Sequence, residues 1–215
     1  MNLKRAYLLL CGFYTLLILI GAIALLAGGG SLLAAIQLGI GALVVIGLWG
    51  YFLGRGFMNP RMWRPLAGLL AVGIVIQLIA VFTAHLSATA MTWTLTTAIF
   101  SVLPMIFLYR YGDRDQSLWA TPEEREGGKM LGELLERQRE LWVEKQAADS
   151  QATVKVSKMG DAYLASVERE RDGSIEAFEE RFRCPATLAF FIEKFTCLSV
   201  SDFVSKYRDN DVNPA

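Results

Sequence analysis

The chain has 215 residues, 53% of them apolar, and its 21 Lys and Arg balance its 21 Asp and Glu. That balance hides a division: residues 1–112 carry six basic residues and no acidic one, and residues 113–215 carry fifteen basic and twenty-one acidic, so +6 stands against −6. Apolar runs of about twenty residues confined to the first part read as a polytopic membrane region followed by a soluble one, and a net-negative soluble part without a basic patch argues against nucleic acid as a partner.

The first apolar run, 6–27, follows Lys4 and Arg5. At 1.5 Å per residue it is long enough for a hydrocarbon core of about 30 Å. It is long for the apolar region of a signal peptide, and only Gly28-Gly29-Gly30-Ser31 separates it from the next run. Further spans are expected at 32–54, 66–85 and 91–109. The connections at 28–31 and 86–90 carry no charge, whereas Arg55, Arg61 and Arg64 lie between the second and third spans and Arg110 follows the fourth. Retention of basic residues on the cytoplasmic side then predicts both termini inside, in an integral protein of a bacterial inner membrane. The three loop arginines are expected to meet anionic headgroups or to dock the acidic tail.

Within the spans, Gly39, Gly47, Gly50 and Gly54 are candidates for close helix packing or an oligomer contact, Gly50-x-x-x-Gly54 having the small-xxx-small spacing. Gln37 and Gln77 lie at comparable depth from the same end, and an unpaired amide in hydrocarbon is costly, so a mutual hydrogen bond or one across a subunit interface is expected. Thr94, Thr97 and Ser101 form a one-sided hydroxyl stripe followed by Pro104, a candidate pore face unless the hydroxyls bond back to their own helix. No Asp, Glu, Lys or Arg lies inside a span, which argues against proton-coupled transporters, pumps and voltage sensors.

In the soluble part, 113–120 reads as a polar connector. Thr121-Pro-Glu-Glu124 has the form of a capped helix start. Leu131, Leu134, Leu135, Leu141 and Trp142 then suggest an amphipathic helix over about 129–148, loosened at its start by Gly127, Gly128 and Gly132. Residues 150–208 are expected to form a small α or α+β domain. Val154 and Val156, then Tyr163, Ala165 and Val167, alternate as in strands, and Asp172-Gly173 is a hairpin dipeptide. Alternatively Ser174 caps a helix carrying Ile175, Phe178 and Phe182. Leu188, Phe191, Ile192 and Phe195 mark a helix after Cys184-Pro185, and Ser199 to Tyr207 a last short one; 209–215 reads as a disordered tail. Leu134, Leu141, Trp142, Phe190, Phe191, Phe195 and Phe203 are candidates for a partner surface.

No catalytic, metal or cofactor signature is found. The chain has one histidine, His85, at the end of a span, and Cys11, Cys184 and Cys197 lack metal or redox spacing. The fold class expected is therefore mainly α: a four-span bundle, an amphipathic cytoplasmic helix and a small cytoplasmic domain. The function expected is that of a non-enzymatic, homo-oligomeric membrane subunit. It contacts lipids and holds a cytosolic protein partner, as in a membrane-perturbation sensor of a stress or defence complex. The alternative is an oligomeric channel.

Overall fold

The computed structural model describes residues 3–28, 30–147, 150–171 and 174–208. The chain is mainly helical and divides into two compact units, Met1–Arg114 and Asp115–Ala215.

The first unit is four helices, α1 (Leu3–Gly28), α2 (Leu32–Leu53), α3 (Pro60–Thr83) and α4 (Ala88–Tyr111), each long and apolar enough to cross a membrane. The short uncharged connections are held by serine caps: Ser31 and Ser87 accept from Ala34 N and Ala90 N, both at 3.3 Å. α3 begins at Pro60 rather than the expected 66. Asn59 Oδ1 accepts from Arg61 N at 3.0 Å and Pro60 occupies the first helical position, where a missing N–H costs nothing. Arg61 and Arg64 therefore lie on the first turns of a helix, and the loop shrinks to 54–59. α1 packs on α2, α2 on α4, and α4 along α3.

The second unit joins a four-stranded antiparallel sheet, in order β1-β2-β3-β4, to three helices that share one core with it. α5 (Pro122–Arg137) starts with the expected capping box, Thr121 Oγ1 accepting from Glu124 N at 3.2 Å and Glu124 Oε2 from Thr121 N at 2.8 Å. It ends eleven residues before the expected 148. Residues 140–147 are β1 (Glu140–Ala147), in which Leu141 and Val143 point inward and pair with Val156 and Val154 of β2 (Ser150–Met159). The apolar spacing that suggested a continued helix is in fact the start of a period of two. A two-residue connection, Gly160-Asp161, joins β2 to β3 (Ala162–Arg171), with Gly160 at φ +63° in the turn position that selects glycine. β4 (Ser174–Phe182) replaces the helix that Ser174 was a candidate to cap: Phe178 and Phe182 face the helices, and Ile175, on the other face, is 74% exposed. Asp172 and Gly173 lie outside the described residues, as does 209–215.

α6 (Pro185–Phe195) and α7 (Val200–Arg208) agree with the apolar spacing. Of the glycines expected to loosen α5, Gly128 has a packing reason, because a Cβ there would stand 2.5 Å from Ala186 N, so α5 crosses the start of α6 at backbone distance, whereas a Cβ on Gly132 would meet open space. The connector is also tied down: the Asp115 carboxylate accepts from Arg183 N at 2.5 Å and Cys184 N at 3.0 Å. The strand edge of β1 is covered by α7, where Tyr207 Oη accepts from Trp142 N at 2.8 Å and Lys206 Nζ donates to Trp142 O at 2.9 Å. Edge groups satisfied by side chains are closed to pairing with another strand.

Candidate functional site

The first unit has two unlike ends. At the end where α2 joins α3, the chain leaves α2 through Gly54 (φ +62°), with Arg55 N donating to Gly50 O at 3.0 Å and Gly54 N to Tyr51 O at 3.3 Å. This paired cap satisfies two orphan carbonyls and needs a left-handed residue, which glycine supplies. The following link would leave backbone groups bare at the edge of an apolar bundle. Instead the Tyr111 hydroxyl accepts from Phe57 N at 2.7 Å and donates to Arg55 O at 2.8 Å, and Trp63 Nε1 donates to Phe57 O at 3.0 Å. Both side chains are fully buried. They fit because α2 offers glycine where they arrive: a Cβ on Gly50 would be 2.2 Å from Tyr111 Oη, and one on Gly47 would be 2.3 Å from Leu108 and 2.7 Å from Trp63.

Gly47 and Gly50 are thus occupied by close approach within the chain. Gly54 is a cap, and a Cβ at Gly39 would meet open space. Tyr7 packs edge-on against Phe107 at 5.3 Å and Tyr51 against Tyr111 at 6.4 Å, which brings the start of α1 to this same end. Lys4, Arg5, Arg55, Arg61, Arg64 and Arg110 therefore cluster at one end of the bundle. Arg64 is engaged there, 3.2 Å from Asp113 and 5.6 Å over the Tyr109 ring, whereas Arg55 and Arg61 are exposed. A shallow apolar groove of about 280 Å³ flanks Trp63 between Leu43 and Leu66.

Toward the other end the helices part around a cavity of about 560 Å³ that all four of them line. Its polar groups are Gln37, Gln77 and the Tyr14 hydroxyl, together with Thr96, Thr97, Ser101 and the Trp93 indole of α4, in an otherwise apolar wall that includes Phe13, Leu17 and Phe100. Gln37 lies five residues from the start of α2 and Gln77 six from the end of α3, about 8–9 Å inside the bundle at 1.5 Å per residue. They share the cavity, but the expected mutual bond is not formed. Gln77 Oε1 is buried without a hydrogen-bond partner.

The hydroxyl stripe bonds back to its own helix: Thr94 to Ala90 O, Thr97 to Trp93 O and Ser101 to Thr97 O, each at 2.8 Å. Thr97 and Ser101 still line the cavity and keep free lone pairs; Thr94 does not line it.

Deeper in, Pro104 has no N–H to give the Phe100 carbonyl four residues before it. The Tyr14 hydroxyl of α1 donates to that carbonyl instead, joining α1 to α4 across the cavity floor. The sequence singles out Pro104 but does not single out Tyr14. The signal was present as a hydroxyl-bearing aromatic inside a span, which needs a polar partner.

In the second unit the candidate partner surface contracts. Leu141 and Phe203 are fully buried and Phe191 is 8% exposed, so these three belong to the core. Leu134 packs partly against it. Phe195, half-exposed, and Phe190 meet edge to face at 6.2 Å on α6. Trp142 lies on β1 with Lys206 Nζ 3.0 Å over its ring. Among the described residues no group of three or more His, Cys, Asp or Glu is placed to hold a metal ion. The chain matches no protein-family model, no curated protein and no solved structure.

Proposed function

We propose that the chain is a multi-pass membrane subunit with both termini cytoplasmic, whose four-helix unit recognises a membrane component and whose second unit holds a cytosolic protein partner. The carrying observation is the cavity among helices long and apolar enough to cross a membrane, with a buried amide oxygen lacking a partner. A second, separately packed acidic unit provides the other half of a receptor-like arrangement. The basic cluster at one end supports the orientation, since lysine and arginine flanking spans are retained on the cytoplasmic side. Arg55 and Arg61 meet anionic headgroups there.

The subunit acts as a homo-oligomer, and it is non-catalytic. Purification of the full chain in mild detergent, with mass determination, tests this. A defined oligomer that retains a stoichiometric cytosolic protein is expected; a monomer with nothing bound, with or without the second unit, overturns it. Trypsin cleavage after Arg55 in inside-out but not right-side-out vesicles checks the orientation.

One observation favours the channel reading: Thr97 and Ser101 face the cavity, as pore-lining hydroxyls do. In one copy the path meets the buried Trp63, Leu108 and Tyr111, so conduction requires that end to open. Ion flux from liposomes holding a confirmed oligomer decides between the two.

A further inference from the structure

We infer that the cavity binds an uncharged, hydroxyl-bearing lipid, such as a monoacylglycerol or a long-chain alcohol, with its hydroxyl on Gln77 and its chain along the apolar wall. The inference rests on the reading of the first unit as membrane-embedded and names what that unit recognises.

The lining holds no charged side chain, so neither a phosphate nor an ammonium headgroup finds a counter-charge, and burying one unpaired is prohibitive. The hydrogen-bond inventory narrows the class further. Thr97 and Ser101 have spent their protons on helix carbonyls and Tyr14 has spent its own on Phe100 O, so these hydroxyls offer mainly lone pairs, whereas the Gln37 amide, the Thr96 hydroxyl and the Trp93 indole N–H supply donors. Gln77 lines the cavity while its Oε1 is turned into the protein, buried and unpaired, so the amide has hydrogen-bonding capacity to offer on either side of a flip. A ligand hydroxyl both donates and accepts, so it satisfies Gln77 in either orientation of the amide. A hydrocarbon chain alone satisfies it in neither.

Size and shape agree. A volume of about 560 Å³ lies in the range of small-molecule sites. From the level of Gln77 to that of Pro104 the cavity runs about 15 Å along the helices, by the rise per residue. Water finds polar partners at the Gln37, Gln77 and Thr97 end, but needs two to four of them, and the apolar wall around Phe13, Leu17 and Val44 gives it none, so water alone does not suit the whole length.

The test uses the full chain in phosphatidylcholine nanodiscs and two photoreactive probes carrying the same diazirine acyl chain, one a monoacylglycerol and the other phosphatidylglycerol. Labelled peptides are mapped by mass spectrometry. The monoacylglycerol is expected to label around Leu17, Val44 and Phe100 and to be displaced by unlabelled monooleoylglycerol. The phospholipid is expected to label outward positions such as Leu19 and Ile76.

Gln77→Leu should lower cavity labelling about three- to tenfold, the range of one hydrogen bond. Ser101→Leu, which fills the space, should lower it independently. Equal cavity labelling by both probes, or no effect of either substitution in a folded variant, overturns specific recognition and leaves a crevice filled by bulk lipid. No cavity labelling by either probe overturns it in favour of water or a second copy. Such a failure with the oligomer and its partner intact removes the lipid but not the proposed function. Cavity labelling by a monomer without a partner does the reverse.

Discussion

The two ends of the four-helix unit are built from the same apolar alphabet and pack in opposite ways. At the basic end, glycines on α2 receive a tryptophan, a tyrosine and a leucine, and the two aromatic polar atoms close the backbone of the link. At the other end the same helices diverge, and an amide oxygen is left buried with no partner. In a bundle with no hydrophobic drive between helices, closure depends on small residues opposite large ones and on satisfied polar groups. Toward the cavity Gly41 still receives Ile18, a Cβ there standing 2.4 Å from it. The Gln77 amide oxygen lacks a partner, however, and space remains among the four helices, and a polar side chain lining that space points to a ligand.

The largest effects should come from filling the closed end. Gly50→Ala places a methyl 2.2 Å from Tyr111 Oη, and overpacking of this kind costs about 1–3 kcal/mol. Gly39→Ala, in open space, should be neutral or stabilising by up to about 1 kcal/mol through helix propensity. Thermal unfolding in one detergent compares the two, and equal destabilisation would count against the contrast. Tyr111→Phe leaves Phe57 N and Arg55 O unpaired; a loss of about 1–2 kcal/mol is expected, with faster trypsin cleavage after Arg55. At the cavity floor, Tyr14→Phe frees the Phe100 carbonyl. About 0.5–1.5 kcal/mol is expected there, the usual span for interhelical bonds in membranes.

The smallest effect lies outside the bundle and serves as its reference. Burial pushes the Asp202 carboxyl up, but hydrogen bonds from Lys145 and from the Ser199 amide and hydroxyl, with the Lys145 charge, leave it below the ordinary value of 3.8. A carboxylate depressed by folding stabilises above its unfolded pKa, and that contribution is lost as pH falls below about 4 and through the folded value. Asp202→Asn should therefore lower stability near pH 7 by about 0.5 kcal/mol, as expected of a half-exposed pair, and flatten its dependence below pH 4. Urea unfolding at several pH values, followed in the second unit, measures this, and the bundle should not respond.

The spans were legible because twenty apolar residues with basic flanks have few other readings, and the Thr121–Glu124 cap because its chemistry is local. What was missed depends on partners distant in sequence. Leu141 and Trp142 fit a helix by spacing, yet pairing with Val156 and Lys155 makes them strand residues. Ile175, Phe178 and Phe182 likewise fit a helix face until β3 claims the segment. The Gly160-Asp161 dipeptide was the available hint of the meander. For the candidate site, Gln37, Gln77, Thr97 and Ser101 could be picked out as polar residues in hydrocarbon, but a sequence cannot show that the helices between them part. Nor could it show that Gly47 and Gly50 face their own chain, since an oligomer contact has the same spacing.

The most direct test of the unlike ends is a pair of leucine substitutions in the same purified protein, read as thermal midpoints in one detergent. Ser101→Leu adds bulk where the cavity is, and Gly47→Leu adds it where Trp63 and Leu108 already touch. An unchanged or higher midpoint is expected for Ser101→Leu and a large fall, or failure to fold, for Gly47→Leu. A tolerated Gly47→Leu beside a destabilising Ser101→Leu would contradict it.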